Sequence, residues 1–348
     1  MYSREEAAKK IIESGLMLVE RGLIARTWGN ISARVSDTEF MITPSGMAYD
    51  KLTPEMIVTC KIEDCSYEGD IKPSGEKLAH AVAYQNRPDV DFIVHTHQLY
   101  GTVAGCVGRS LRGRTDEEKR ILGYRVPVAK YAISATAPLG RNVGECIKKH
   151  PESNAIFMKA HGVLCMGKDA EEAFLVSKTL EKICRDLIRK NLFMSTASRV
   201  IPAEKLPEWS AADLVETIKQ VTGKEHVAFD HSEVVLRCSL LGRTLAPIID
   251  DMAQIGGVSF VSLDPLSEDF MLLAAEELLQ KTVVFIKGYG AVIATETEDD
   301  IEAVSIVLEK NCMAELFAKA KGGAKHLTRP DAWFQRRNYV KNYSKLMK

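Results

Sequence analysis

No stretch of this chain approaches the roughly eighteen consecutive apolar residues that a membrane-spanning helix needs, so no membrane partner is expected. No sign of charge is in excess either. Lys and Arg number 46 against 47 Asp and Glu, a net charge of -1, which argues against a protein held to nucleic acid or an anionic membrane by bulk charge. No CxxC pair occurs among the eight cysteines, at 60, 65, 106, 146, 165, 184, 238 and 312. A chain of 348 residues buries enough core to do without disulfide staples, so reduced thiols and a cytoplasmic location are the expectation. The opening residues Met1-Tyr2-Ser3-Arg4-Glu5-Glu6 are charged and lack the apolar core of a signal peptide. What is present is ordinary for a globular protein, 46% hydrophobic and 27% charged, and the length predicts about two domains.

Hydrophobic spacing predicts an amphipathic helix over 4–23, with Ala8, Ile11, Ile12, Leu16, Val19 and Leu23 on one face. Strands are expected at Ile31–Val35, Glu39–Thr43 and 56–62, separated by turn signals at Trp28-Gly29-Asn30 and Pro44-Ser45-Gly46. Ser74 is the expected cap of a helix over about 75–86, stopped by Pro88. The β-branched run Val90–His95 predicts a strand, followed by a helix at about 98–107, strands near 126–130 and 154–159, and a long helix over about 170–191. Asn191–Ser210 carries two prolines and no periodicity, so it reads as a connector. The domain boundaries expected are 1–195, a linker at 196–210, a repeat at 211–325 and a tail at 326–348.

The repeat rests on an offset of 128 residues. Phe157-Met158-Lys159-Ala160-His161-Gly162 is echoed by Phe285-Ile286-Lys287-Gly288-Tyr289-Gly290, and residues 155–185 hold nine identities with 283–313. A constant offset with shared Gly and Lys favours a duplicated, degenerate unit over two unrelated strand-helix pieces. Tyr289 stands where the first copy has His161, and no His-x-His occurs in the second copy, so chemistry is expected only in the first. The tail at 326–348 is basic and carries Trp333, Phe334, Tyr339 and Tyr343. Its aromatics are expected to pack on the body or a neighbouring subunit rather than to bind nucleic acid.

The strongest local signal is Val94-His95-Thr96-His97. Alternate residues of a strand share a face, so His95 and His97 project together at a spacing suited to one metal ion. His161-Gly162 follows another apolar strand, and three imidazoles from two strand ends leave a coordination position open, as at a catalytic zinc. Glu76, at the start of a helix, is a fourth ligand, a general base, or both in turn. His80, one turn later, is expected to be structural. The small-residue turns Gly29-Asn30, Ser45-Gly46 and Ser74-Gly75 present backbone N–H groups fit to cradle an anion.

Taken together, Gly29-Asn30-x-Ser32-x-Arg34, Thr43-Pro44-Ser45-Gly46, Pro73-Ser74-Gly75-Glu76, Arg87-Pro88-Asp89, Val94-His95-Thr96-His97 and His161-Gly162 resemble the class II aldolase/adducin family over about residues 4–192. The resemblance implies an α/β fold: a three-layer α/β/α domain on a mostly antiparallel sheet, here with a second, smaller degenerate α/β repeat. It implies a homo-oligomer, tetramer or dimer, with active sites at subunit interfaces. It makes His95, His97 and His161 the metal ligands and Glu76 the catalytic acid/base. Gly29, Asn30, Ser45, Gly46, Ser74 and Gly75 become the lining for the substrate's anionic end. Tyr124 and Tyr131 are both candidates for a proton-donating tyrosine.

The sequence departs from that pattern in two informative ways. Sugar-phosphate aldolases of the family carry Ser-Ser-Glu where this chain has Ser74-Gly75-Glu76. A missing charge-assisted hydrogen bond is worth roughly 1.5–3 kcal/mol, so phosphate recognition is expected to be weakened or absent. The second repeat is an addition to a domain that is typically single. The expected function is a metal-dependent lyase that cleaves a C–C bond of a small hydroxy-carbonyl or sugar-phosphate substrate by retro-aldol chemistry, through a metal-stabilised enolate. The alternatives are a C–C hydrolase, decarboxylase or epimerase on a non-phosphorylated carbonyl compound, and an adducin-like oligomerisation module without catalysis. Three histidines and a carboxylate favour Zn²⁺, with Mn²⁺, Co²⁺ or Fe²⁺ compatible.

Overall fold

The structure is a computed structural model and describes residues 1–23, 28–194, 211–323 and 325–343. It comprises two compact units, the first built on Met1–Arg189 and the second on Lys190–Lys341.

The first unit runs α1 (Arg4–Glu20), β1 (Asn30–Arg34), β2 (Glu39–Ile42), β3 (Val58–Lys61), α2 (Lys77–Asn86), β4 (Phe92–Thr96), α3 (Leu99–Cys106), α4 (Asp116–Leu122), β5 (Val128–Ala129), α5 (Ala137–Lys149), β6 (Ala155–Met158), β7 (Gly162–Gly167) and α6 (Ala170–Met194). Its seven strands form one sheet in the order β3-β2-β1-β4-β7-β6-β5. Every neighbouring pair is antiparallel except β5 with β6. Period-two alternation sends Ile31, Ala33, Phe92 and Val94 toward α1 and α6, where Ala7, Ile11, Leu18 and Ala173 complete one core. The other face, with Phe40, Ile42, Ile93, Ile156 and Leu164, packs on α2 and α5 through Ala79, Ala83, Leu139, Val143 and Ile147. The result is the expected three-layer α/β/α arrangement around a mostly antiparallel sheet.

The second unit runs α7 (Ala211–Thr222), β8 (His226–Asp230), α8 (Glu233–Ser239), α9 (Asp250–Ile255), β9 (Ser262–Leu263), α10 (Phe270–Gln280), β10 (Val283–Ile286), β11 (Gly290–Thr295), α11 (Glu298–Ala320) and α12 (Arg329–Asn338). Its sheet has the order β8-β11-β10-β9, with β9 parallel to β10 and the other pairs antiparallel. That reproduces β4-β7-β6-β5 in order and in sense. The isolated bridge Leu111–Val126 of the first unit has its counterpart in Leu245–Phe260. Strands β6 and β7 correspond to β10 and β11 at an offset of 128, whereas 92–129 corresponds to 226–263 at 134. The shift in offset, six residues lost across the α5–α10 region, hides the earlier half of the correspondence from a search at one fixed spacing.

Two local expectations are corrected. The N-cap of α2 is Glu76 rather than Ser74, whose hydroxyl instead accepts from the Glu76 backbone N–H two residues on. The connector expected from Asn191 begins later, because α6 continues through Met194; the 196–210 linker lies outside the described residues. In the tail, Trp333 and Phe334 are 54% and 44% exposed on the single chain, which leaves a neighbouring subunit as the surface on which they would pack. The face of α12 that turns inward carries Ala332 and Gln335, and the neighbouring Arg336 guanidinium caps the end of α9 by donating to the carbonyls of Gln254 and Ile255. Helix α4 overlaps the charged residues 112–120 and is started by a capping box in which Thr115 and Glu118 satisfy each other's backbone N–H groups. All eight cysteines are free and buried, as expected of reduced thiols.

Candidate metal centre

The sheet order explains how distant residues meet. Strand β4 lies between β1 and β7, which sets His95 opposite Asn30 on one side and Leu164 on the other. His97 follows β4 by one residue and, by strand alternation, shares the face of His95. His161 lies in the tight turn between β6 and β7, where Ala160 adopts a left-handed φ of 62° and the His161 N–H donates to the Met158 carbonyl. Gly162 is required by close approach. A Cβ there would lie 2.5 Å from the Thr96 carbonyl oxygen and 3.0 Å from Cε1 of His95. The fourth residue, Glu76, is placed by the start of α2.

Their side chains converge. His95 Nε2 lies 3.0 Å from His97 Nε2 and 3.0 Å from Glu76 Oε2, and His161 Nε2 lies 2.7 Å from Glu76 Oε1. One ligand atom from each of the four residues lies within 4.8 Å of all the others. The His95 and His161 rings are stacked, with centroids 5.1 Å apart, and His97 meets both edge-on. The three histidines are buried and the Glu76 side chain is 11% exposed.

The donor chemistry fits a cation. His95 Nδ1 faces the Val163 carbonyl at 2.9 Å, and a carbonyl only accepts, so Nδ1 carries the proton and Nε2 turns its lone pair inward. A second hydrogen bond of this kind is the usual anchor of a metal-bound imidazole. Two nitrogens each about 2.0–2.1 Å from one zinc ion stand roughly 3–3.5 Å apart, close to the separation between His95 and His97. Burial opposes ionisation of Glu76; positive charge on His161 and His95 would outweigh it and hold its carboxyl well below the usual carboxylate range, and a bound cation would supply that charge where the imidazoles are neutral. Lone pairs and an ionised carboxylate crowded into one buried point repel each other unless a positive charge sits among them. His95, His97, His161 and Glu76 would hold such an ion.

The small-residue turns are also drawn together. Ser45 N–H donates to the Lys72 carbonyl and Ser74 N–H to that of Thr43, and Pro44 bridges Pro73, so the loops holding Ser45-Gly46 and Ser74-Gly75 run side by side. Gly29 and Gly46 have φ of 101° and 74°, a region open to glycine. A cleft of about 240 Å³ opens on Gly75 and Glu76, walled by Lys77, Ala135 and Thr136 where α2 and α5 begin. Asn30 does not point to open space: its Nδ2 donates to Glu76 Oε2 at 3.0 Å. Tyr124 is 58% exposed with the Arg112 guanidinium over its ring, apart from the buried cluster, and Tyr131 is half-buried.

The chain matches the family model of the class II aldolase and adducin N-terminal domain over residues 9–188. It is 29% identical over 216 residues to L-fuculose phosphate aldolase from Escherichia coli (strain K12), covering 62% of this chain and 95% of that protein. It is 30% identical over 208 residues to 5-methylthioribulose-1-phosphate/5-deoxyribulose-1-phosphate aldolase from Escherichia coli O45:K1 (strain S88), covering 58% and 95%. A solved structure of L-fuculose 1-phosphate aldolase superposes with a TM-score of 0.50 at 28% identity, covering 59% of this chain and 94% of that one. The chain therefore belongs to the class II aldolase and adducin family. It is an enzyme of the metal-dependent aldolase type, a lyase.

Proposed function

We propose that this enzyme breaks a C–C bond in a small hydroxy-carbonyl compound or sugar phosphate by retro-aldol cleavage at a Zn²⁺ site formed by His95, His97, His161 and Glu76. The convergence of those four side chains carries the reading. Three imidazoles and one carboxylate favour zinc over harder ions. A bound divalent cation supplies Lewis acidity toward a substrate carbonyl or hydroxyl oxygen. The protein's own residues handle position and protons. Glu76, ionised and buried, moves a proton between the substrate and the solvent side of the cleft as the bond breaks. Asn30 keeps one carboxylate oxygen engaged. The turns at Gly29, Ser45-Gly46 and Ser74-Gly75 line the substrate's anionic end, with the Ser45 and Ser74 hydroxyls rather than their backbone N–H groups, which the Lys72 and Thr43 carbonyls take, and Tyr131 or Tyr124 returns a proton to a fragment. Incubation with L-fuculose 1-phosphate and 5-methylthioribulose 1-phosphate, before and after chelation, tests this: an aldehyde should be released, stop on chelation and return with Zn²⁺. Release that persists in metal-free protein would refute it.

One observation favours a second reading. Gly75 lines the cleft without the hydroxyl that a phosphate cradle of this family offers. A non-phosphorylated carbonyl substrate, cleaved hydrolytically, decarboxylated or epimerised, then becomes the alternative. A parallel panel of 1,3-diketones separates the two.

The second unit is proposed to be a degenerate copy of the part of the first that begins at α2. At the two offsets Phe229 takes the place of His95, His231 that of His97 and Tyr289 that of His161. A phenyl ring has no lone pair to give, and His231 Nδ1 faces the Tyr289 carbonyl at 3.1 Å, so this set is not a second centre of the same kind. The active protein is proposed to be a cytoplasmic homo-oligomer, tetramer or dimer, which light scattering on the purified chain measures directly.

A further inference from the structure

Asn30, Ser32 and Arg34 alternate along β1, and Glu76, His80 and Tyr84 recur every fourth residue at the start of and along α2. Two strand residues advance about 6.6 Å and four helical residues about 6 Å, so these two rows stay in step over three rungs. They are joined throughout by short hydrogen bonds. Tyr84 Oη lies 2.7 Å from Ser32 Oγ, and Ser32 Oγ lies 2.7 Å from His80 Nδ1. His80 Nε2 lies 2.5 Å from Asn30 Oδ1, and Asn30 Nδ2 lies 3.0 Å from Glu76 Oε2. Arg34 closes the far end, donating to the Tyr84 carbonyl with its guanidinium 4.8 Å above the Tyr84 ring. Asn30, Ser32, His80 and Tyr84 are all buried, His80 and Ser32 completely.

The direction of every bond in this chain follows from one end. Asn30 turns its NH₂ to Glu76 Oε2 and its carbonyl oxygen, which only accepts, to His80. His80 must then carry its proton on Nε2, which leaves Nδ1 to accept from the Ser32 hydroxyl, and Ser32 in turn accepts from Tyr84. Burial keeps the imidazole neutral, its pKa pushed down to about 3. A neutral ring has one N–H, and here that N–H has one place to go.

We propose that His80 is a positioning residue of the active site. By fixing the orientation of the Asn30 amide, it locks the Glu76 carboxylate in the pose that meets His95 and His161. The proposal rests on the metal-centre reading for its purpose, but its geometry stands apart from any ion.

The test uses the full-length protein with selectively ¹⁵N-labelled histidine, titrated with Co²⁺ as the probe. Long-range ¹H–¹⁵N spectra should show His80 in the Nε2–H form, assigned by its loss in His80→Gln; an Nδ1–H form overturns the proposal. His80→Leu should raise the Co²⁺ dissociation constant by roughly 10–100-fold, the range for loss of an outer partner of a ligand. His80→Gln, whose amide keeps an N–H toward Asn30, should bind within a few-fold of the parent. Equal weakening in both variants would mean mere packing, and no weakening in His80→Leu would mean no coupling to Glu76; either result overturns the proposal. If His80→Leu does not fold, Ser32→Ala takes its place with a weakening in the same direction expected. If the parent protein takes up no Co²⁺, the metal-centre reading fails, and the tautomer spectrum alone decides the role of His80.

Discussion

Asn30 and Glu76 stand 46 residues apart in the chain and 3.0 Å apart in space, amide Nδ2 to carboxylate Oε2. Replacing this neutral donor with a negative charge should therefore be worse than removing it. Asn30→Ala should weaken metal binding at least as much as His80→Leu, by about 10–100-fold, and lower turnover with it. Asn30→Asp sets two carboxylates in contact, which disfavours ionisation of both, and should lose more activity and move the acid limb of the pH–rate profile upward. Equal effects from the two substitutions would remove Asn30 from the control of Glu76.

Metal content distinguishes the two units. His95→Ala should abolish both bound zinc and aldehyde release. His231→Ala, at the matching position of the second unit, should leave one metal per chain and full activity. Elemental analysis of the purified variants measures both. Loss of metal in the His231 variant would mean that the second unit takes part in binding.

Gly162→Ala probes close packing at the site. The added methyl would sit 2.5 Å from the Thr96 oxygen and within 3.2 Å of the His97 ring. Overpacking of this kind costs typically 1–3 kcal/mol and displaces the histidines that it strikes. A lowered melting temperature together with weakened zinc binding is expected, read by calorimetry and by competition with a chromogenic chelator.

A pH-dependent contribution is expected in the second unit. Glu315 is 2% exposed and accepts from Arg243 Nη2 at 2.6 Å and His326 Nε2 at 2.7 Å. Burial pushes its carboxyl up, yet the His326 and Arg243 groups prevail and lower it below the ordinary value. Because the folded value lies under the unfolded one, the stabilisation is complete above the unfolded carboxylate range and fades as pH falls through the folded value. Glu315→Gln should thus cost roughly 1–3 kcal/mol at neutral pH. The difference in urea midpoint between parent and variant should close as the pH drops below about 4.

Much of the first unit could be read from residue order. Strand period two separates His95 and His97 from Thr96 and thereby announces a shared face, and the Gly after His161 announces a close approach that the 2.5 Å Cβ contact bears out. The role of Asn30 was less legible. Its place in a Gly-Asn turn pointed to an anion, whereas its amide is engaged by Glu76 and His80. That needs the pairing of β1 with α2, which no local window contains. His80 looked structural for the same reason: its partners Ser32 and Asn30 lie 48 and 50 residues away. In the tail, composition cannot tell which side of a helix faces inward, and in α12 it is Ala332 and Gln335 rather than Trp333 and Phe334. The early half of the second unit escaped a single-offset comparison because six residues are missing between its two halves.

The four-stranded sheet of the second unit starts at β8, the counterpart of β4, and has no equivalent of β1 among the described residues. On the proposed reading of a copy that begins at α2, the strand that bears Asn30 and Ser32 has no counterpart, so the second unit lacks the amide that the first turns toward its carboxylate. Phe229 and Tyr289 then stand at two of the three positions where the first unit has imidazoles.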